Sequence, residues 1–165
     1  MAPASHRRRA PAAAAALAIA ALLALGASAT ALIGATKPPT AVGVHLTGRT
    51  ALAKVQSSTV LIDRGTISGS PVGSGRITLV YTLHPSTGIA STTFTIVNAH
   101  GTVTGRATSS YAVTRLHITF NGAGSLTGGT RAYAGIRSTP LAFDAVHSIT
   151  GKREAIALTG RATIP

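Results

Sequence analysis

Three carboxylates are all that this 165-residue chain carries, Asp63, Asp144 and Glu154. Chemistry that needs paired acids therefore has little to draw on. With no cysteine in the chain, disulfides, thiolate nucleophiles and Cys-ligated zinc are excluded. No Gly-x-Ser-x-Gly elbow is present. Beyond residue 29 the histidines are His45, His84, His100, His117 and His147. None pairs with another at i, i+2 or i, i+4, so a metal site would have to be assembled from distant strands, and neither metal nor cofactor is called for. These counts disfavour hydrolysis, while a cyclisation steered mainly by the shape of a cavity stays open. Asp144, Arg115 and His117 fall on the polar side of two alternating segments. If that side lined a lumen, the three would suit a polar ligand group. If it faced solvent, they would be cross-strand charge pairs of small energy. The solvent reading is preferred, because the apolar side has to fill the interior.

The elements that would position these groups are strands. Ile77, Leu79, Tyr81 and Leu83 alternate with Arg76, Thr78, Val80 and Thr82. Thr92, Phe94 and Ile96 alternate with Thr93, Thr95 and Val97, and Leu116, Ile118 and Phe120 with Arg115, His117 and Thr119. The same period of two runs through Leu141–Val146 and Ile156–Ile164, the mark of half-buried strands. Val42–Leu46, Leu52–Ile62 and Thr102–Ala112 are further candidates. Ala99-His100-Gly101 reads as a tight turn, and Ser148–Lys152 as the turn into the last strand. No helical periodicity follows the N-terminal segment. Roughly eight short strands without helices predict an all-β fold, an antiparallel barrel or a sandwich. Gly65-Thr66-Ile67-Ser68-Gly69 and Gly101-Thr102-Val103-Thr104-Gly105 echo one another, and Thr-Gly-Arg recurs at irregular spacing. Glycine inside strands marks bends or close backbone approach, so the echo reads as structural.

The N-terminus has the layout of a secretory signal: Arg7-Arg8-Arg9, an apolar run from Ala10 to Leu25, then Ala27-Ser28-Ala29. Cleavage is expected after Ala29, giving a secreted protein. Left uncut, the same apolar span would be a membrane anchor. Residues 30–41, with Lys37-Pro38-Pro39, read as an exposed lead-in, and 42–165 as the folded domain. The formal charge is +12, and loss of Arg7–Arg9 with the signal leaves +9. Such an excess attracts anionic cell-wall polymers or other polyanions. Because the basic residues are dispersed, solubility is the plainer explanation. With three Phe, three Tyr and no Trp, the stacking platforms that single-stranded nucleic acid needs are scarce, and no specific nucleic-acid partner is expected.

Three segments carry a family resemblance. Ile62-Asp63-Arg64-Gly65 leads to Ser70-Pro71-Val72-Gly73-Ser74-Gly75. Phe94-Thr95-Ile96 precedes Gly101-Thr102-Val103-Thr104-Gly105-Arg106-Ala107. Leu126-Thr127-Gly128-Gly129-Thr130-Arg131-Ala132-Tyr133-Ala134-Gly135-Ile136-Arg137 follows. Together, over about 59–164, they resemble the dirigent and allene-oxide-cyclase-like barrels, whose pattern at the third segment is close to GGTGxYxGARG. The resemblance implies an eight-stranded antiparallel barrel, often oligomeric, with an apolar lumen open at one end. It also implies acidic side chains in that lumen with Arg and Tyr neighbours, and a reactive ligand held by shape. On that basis Asp63, Tyr133 and Arg137 become ligand-binding candidates. Read by itself, Asp63 before Arg64-Gly65 suits an Asx turn, which is the preferred reading. Tyr133 suits either a ligand contact at the mouth or a plug whose hydroxyl reaches water. Arg131 stands where the pattern has glycine and Ser138 where it ends in glycine, so the loop is expected to take a different path, since Arg rarely adopts positive φ.

Two functions follow as expectations. One is an exported barrel that binds a small apolar or aromatic molecule in its lumen and guides its cyclisation or coupling. The other is a non-enzymatic envelope protein that binds anionic polymers. Ring closure and homo-oligomer packing are alternative ways of hiding strand edges, and both stay open.

Overall fold

The computed structural model describes residues 38–165. The expected signal segment, residues 1–29, and residues 30–37 of the expected lead-in lie outside the described residues. The strands are β1 (Thr40–Ser57), β2 (Val60–Ser70), β3 (Gly75–His84), β4 (Ile89–Asn98), β5 (Gly101–Val113), β6 (His117–Gly129), β7 (Arg137–Ser138), β8 (Leu141–Ser148) and β9 (Glu154–Ile164). One turn of 3₁₀ helix, Arg131–Tyr133, sits between β6 and β7. Each long strand pairs antiparallel with its neighbour in the order β1-β2-β3-β4-β5-β6-β8-β9, and β9 returns to β1, so the ring closes. The two-residue β7 adds to β9 outside it. Of the two ways to hide edges, the chain uses closure, and the closed ring is complete within residues 40–164.

The alternation explains the closure. One side of every strand is apolar and turned inward: Ile77, Leu79 and Tyr81 on β3, Phe94 and Ile96 on β4, Phe120 and Leu126 on β6, Leu141 and Phe143 on β8, Ile156 and Leu158 on β9, all buried. The opposite side carries Thr, Ser and Arg to solvent. Eight strands enclose an interior wide enough to be filled by side chains or to hold one small ligand, and these side chains fill most of its length. Glycine makes the close approaches. Phe94 lies across from Gly105, where an added Cβ would sit 2.1 Å from the ring, so the aromatic lies flat over β5 only because that residue has no side chain.

Three boundaries differ from the sequence expectation. The lead-in does not reach residue 41: β1 opens at Thr40, and Thr40 and Ala41 pair with Ile164 and Thr163 of β9. The segment 52–62 is not one strand: β1 runs on to Ser57, and the chain turns at Ser58-Thr59 before β2. Leu116 is not on a strand face but in the β5–β6 turn, with Arg115. Thr114 caps that turn, its hydroxyl donating to the carbonyl of His117 at 3.0 Å while accepting from the His117 N–H, which ends the ladder there.

Candidate functional site

The two ends of the barrel are built differently. At one end lie the β2–β3 and β4–β5 turns and the long β6–β8 connection. That connection folds back across the opening, with Thr130 N–H donating to Thr102 O at 2.9 Å and Ala132 N–H to His100 O at 3.2 Å. Tyr133, Ile136 and Val72 are buried there. The Tyr133 hydroxyl donates to Val72 O at 2.9 Å, and Asn98 Nδ2 donates both to that hydroxyl at 2.9 Å and to Val72 O at 2.6 Å. Tyr133 is therefore a plug, and its hydroxyl meets protein rather than water. Arg131 takes φ of +53°. The expected detour does not occur at this residue: the loop's hydrogen bonds over-determine the turn, and Arg accepts the left-handed conformation at about 1–2 kcal/mol. Arg137 is exposed, its Nη1 donating to Ile136 O at 2.8 Å, so it braces this connection from outside.

At the other end lie the four hairpin turns β1–β2, β3–β4, β5–β6 and β8–β9, and behind them buried polar side chains stand among the apolar Leu61, Leu83, Ala90 and Ile118. Asp63 is fully buried and stands within β2, opposite Leu79 of β3. The Asx-turn reading is thus corrected: Leu61, Asp63 and Ile67 share the inward phase. Across the lumen, His147 of β8 donates its Nδ1–H to both Asp63 oxygens, at 2.8 and 3.0 Å. With Nδ1 on the carboxylate, Nε2 is the ring nitrogen left for another partner. Tyr81 stacks on Phe120, with centroids 4.4 Å apart, and meets His147 edge-on at 6.2 Å. Its hydroxyl is buried without a hydrogen-bond partner in the protein, as are those of Thr50, Thr92 and Ser109. Thr92 is the cross-strand partner of Tyr81, and Ser109 that of Ala90, one inward step nearer the hairpins. Burial, and secondarily the Asp63 carboxylate, push the Tyr81 phenol far above its ordinary range, so it stays an O–H donor.

This half of the lumen therefore offers hydroxyl donors, one oriented imidazole and aromatic walls from Tyr81, Phe120 and the half-buried Tyr111.

The other candidates are not brought together. Asp144 is exposed on the outer wall, accepting from Asn121 Nδ2. His117, half-buried at the hairpin end, bonds Glu154 Oε1 through Nε2 at 3.1 Å. Arg115 is exposed in the β5–β6 turn. His117 and Asp144 belong to the outward phase of their strands, as the filling of the interior by the other phase requires. His147, Thr50, Thr92 and Ser109 were not singled out by the sequence. A signal for His147 existed, since it follows Phe143 and Ala145 in the inward phase by one further step.

A surface depression of about 660 Å³ lies on the outer wall over β2, β1 and β9, lined by Arg49, Thr66, Ser68, Arg153 and Ala155 among others.

No protein-family model and no curated protein matches the chain. Among solved structures, a pyocyanin demethylase matches with a TM-score of 0.35 and 17% identity, covering 71% of this chain and 98% of that one. A likeness at that score carries no argument about function.

Proposed function

We propose that this protein is a small-molecule-binding barrel of the dirigent and allene-oxide-cyclase type. Its ligand, mainly apolar or aromatic, sits in the half of the lumen behind the four hairpins, with an oxygen facing Tyr81, Thr92 and Ser109. The carrying observation is the set of buried hydroxyls without protein partners beside the Asp63–His147 pair. Each unpaired buried hydroxyl costs about 1–3 kcal/mol, and an apolar residue of similar shape would avoid that cost. A ligand oxygen that accepts these hydrogens turns the cost into affinity. Where the ligand is reactive, confinement against the Tyr81–Phe120 stack would restrict its conformations. Residues 1–29 would direct export, with the barrel released by cleavage after Ala29.

The test is a titration with p-cresol, a small phenol, followed by methyl and amide NMR. Shifts confined to residues around Tyr81, Thr92, Ser109, Phe120 and His147 are expected, with affinity reduced about tenfold in Tyr81→Phe, because a hydrogen bond of about 1.4 kcal/mol corresponds to a factor of ten. Shifts spread over the outer wall, or none at millimolar p-cresol, would overturn the reading. A native mass spectrum of protein from its own culture medium adds a second check: a chain beginning at Thr30 with extra mass lost on denaturation.

The second reading, an envelope protein binding anionic polymers, is favoured by Arg49 and Arg153 in the outer depression. It expects retention on cell-wall material that is released by a few hundred millimolar salt.

A further inference from the structure

The six large hydrophobic side chains exposed among the described residues are Val55, Ile89, Val97, Val113, Leu116 and Ile149. All but Val97 stand at the hairpin end of the barrel, and each of its four hairpins supplies at least one. Val55 lies two residues before the end of β1, Ile89 opens β4, Val113 and Leu116 frame the β5–β6 turn, and Ile149 follows β8. They are 37–62% exposed, so none is a core residue with an edge showing. Two of these tips are joined, Ile149 N–H donating to Leu116 O at 2.9 Å. The result is a ring of aliphatic tips around the end of the barrel that leads to the polar half of the lumen.

The same turns carry Arg115, Lys152 and Arg153, and Lys54 precedes the first of them on β1, all exposed. No free acid opposes them. Asp63 is inside the barrel, Asp144 is on the outer wall beside Asn121, and Glu154 is engaged by His117. Protruding aliphatic tips interleaved with cations suit one kind of partner, a surface whose charge is negative and whose interior is apolar just beneath. The tips enter the acyl boundary while the cations stay at headgroup level. The barrel does not meet a bilayer along its side, because its outer wall carries Arg64, Arg76, Arg106 and many Thr and Ser to solvent.

We propose that the hairpin end docks on an anionic lipid surface. Docking directs the lumen end toward the membrane, which is where an apolar ligand would be partitioned.

The test uses residues 38–165, which contain the whole closed ring, in flotation assays at 0.1 M salt. The vesicles are phosphatidylglycerol–phosphatidylcholine mixtures, or phosphatidylcholine alone. Co-flotation with the mixed vesicles and little with the neutral ones is expected. Leu116→Ser should weaken it about tenfold, and Arg115→Ser or Lys152→Ser about fivefold each. All three positions are exposed, so unchanged thermal melts would show that the variants fold. Absence of co-flotation, or equal binding by wild type and Leu116→Ser, would overturn the proposal. So would a lipid-free dimer in sedimentation velocity that Leu116→Ser dissociates, which would assign the ring to a second copy. This assay contains no lumen ligand and the p-cresol titration no lipid, so either idea can fail without the other.

Discussion

The two ends of this barrel use the same residue types to opposite purposes. At the sealed end Tyr133 is buried with its hydroxyl donating to Val72 O and accepting from Asn98. At the hairpin end Tyr81 is buried with its hydroxyl bonded to nothing in the protein. Around Tyr133 the backbone groups find partners, and even an Arg at positive φ is tolerated to keep the loop in place. Around Tyr81 the barrel buries hydroxyls without protein partners beside a paired carboxylate and imidazole. The contrast separates the segment that best marks the family resemblance from the segment with chemistry. The Gly128–Arg137 loop is held across one end by its own hydrogen bonds, and the candidate site is at the far end.

The largest effect should come from breaking the cross-lumen pair. His147→Ala leaves a carboxylate buried without its donor, and a loss of about 3–5 kcal/mol is expected in urea unfolding. Asp63→Asn, which keeps an acceptor for the ring, should cost clearly less. Equal costs would mean that the pair is not held as buried charge. At the sealed end, Ile136→Ala should lose about 2–5 kcal/mol through the cavity it opens and leave p-cresol binding intact. An effect on binding would break the division of labour between the ends.

Titration sharpens the comparison next. Folding raises the Tyr81 phenol above its ordinary value, by burial first and the Asp63 carboxylate second. Unfolded Tyr81 releases its proton near pH 10 while the folded protein retains it. The associated stability is thus fully present below about pH 10 and lost as pH rises, by about 1.4 kcal/mol per pH unit. Denaturation followed between pH 9 and 12 should show this slope in wild type and a shallower one in Tyr81→Phe. Parallel curves would place the phenol in water. Smaller again, Arg131→Gly should raise stability by about 1–2 kcal/mol, because glycine takes positive φ at little cost. A loss would mean that the Arg131 side chain holds the loop.

Much of this fold was legible in the sequence. Period-two alternation in 77–83, 92–96 and 156–164 assigned the inward phase correctly, because an eight-stranded ring has only one side to bury. What failed was local. The Ser58-Thr59 turn has no glycine, asparagine or proline to announce it, so β1 and β2 ran together as one candidate. The Thr114 cap that stops β6 short of Leu116 is likewise silent in an alternation pattern. The site was half legible. Asp63 was found through the family resemblance, yet its own neighbours suggested a turn. The phase that turns it inward, Leu61-x-Asp63-x-Gly65-x-Ile67, was masked by the two glycine-free residues of that turn upstream. His147 is 84 residues away, and only closure of the ring places it across from Asp63. Arg115, His117 and Asp144 share a polar phase but not a place, which alternation cannot distinguish.

The most direct test of the two-ended account is a pair of identical substitutions, Tyr133→Phe and Tyr81→Phe, compared by urea unfolding at pH 7. Tyr133→Phe loses satisfied hydrogen bonds and should destabilise by about 1 kcal/mol. Tyr81→Phe removes a buried hydroxyl with no protein partner, so stability should be unchanged or higher by about 1 kcal/mol, and p-cresol binding should fall. If Tyr81→Phe destabilises as much as Tyr133→Phe and leaves p-cresol binding intact, the hairpin half of the lumen is ordinary core and the account is wrong.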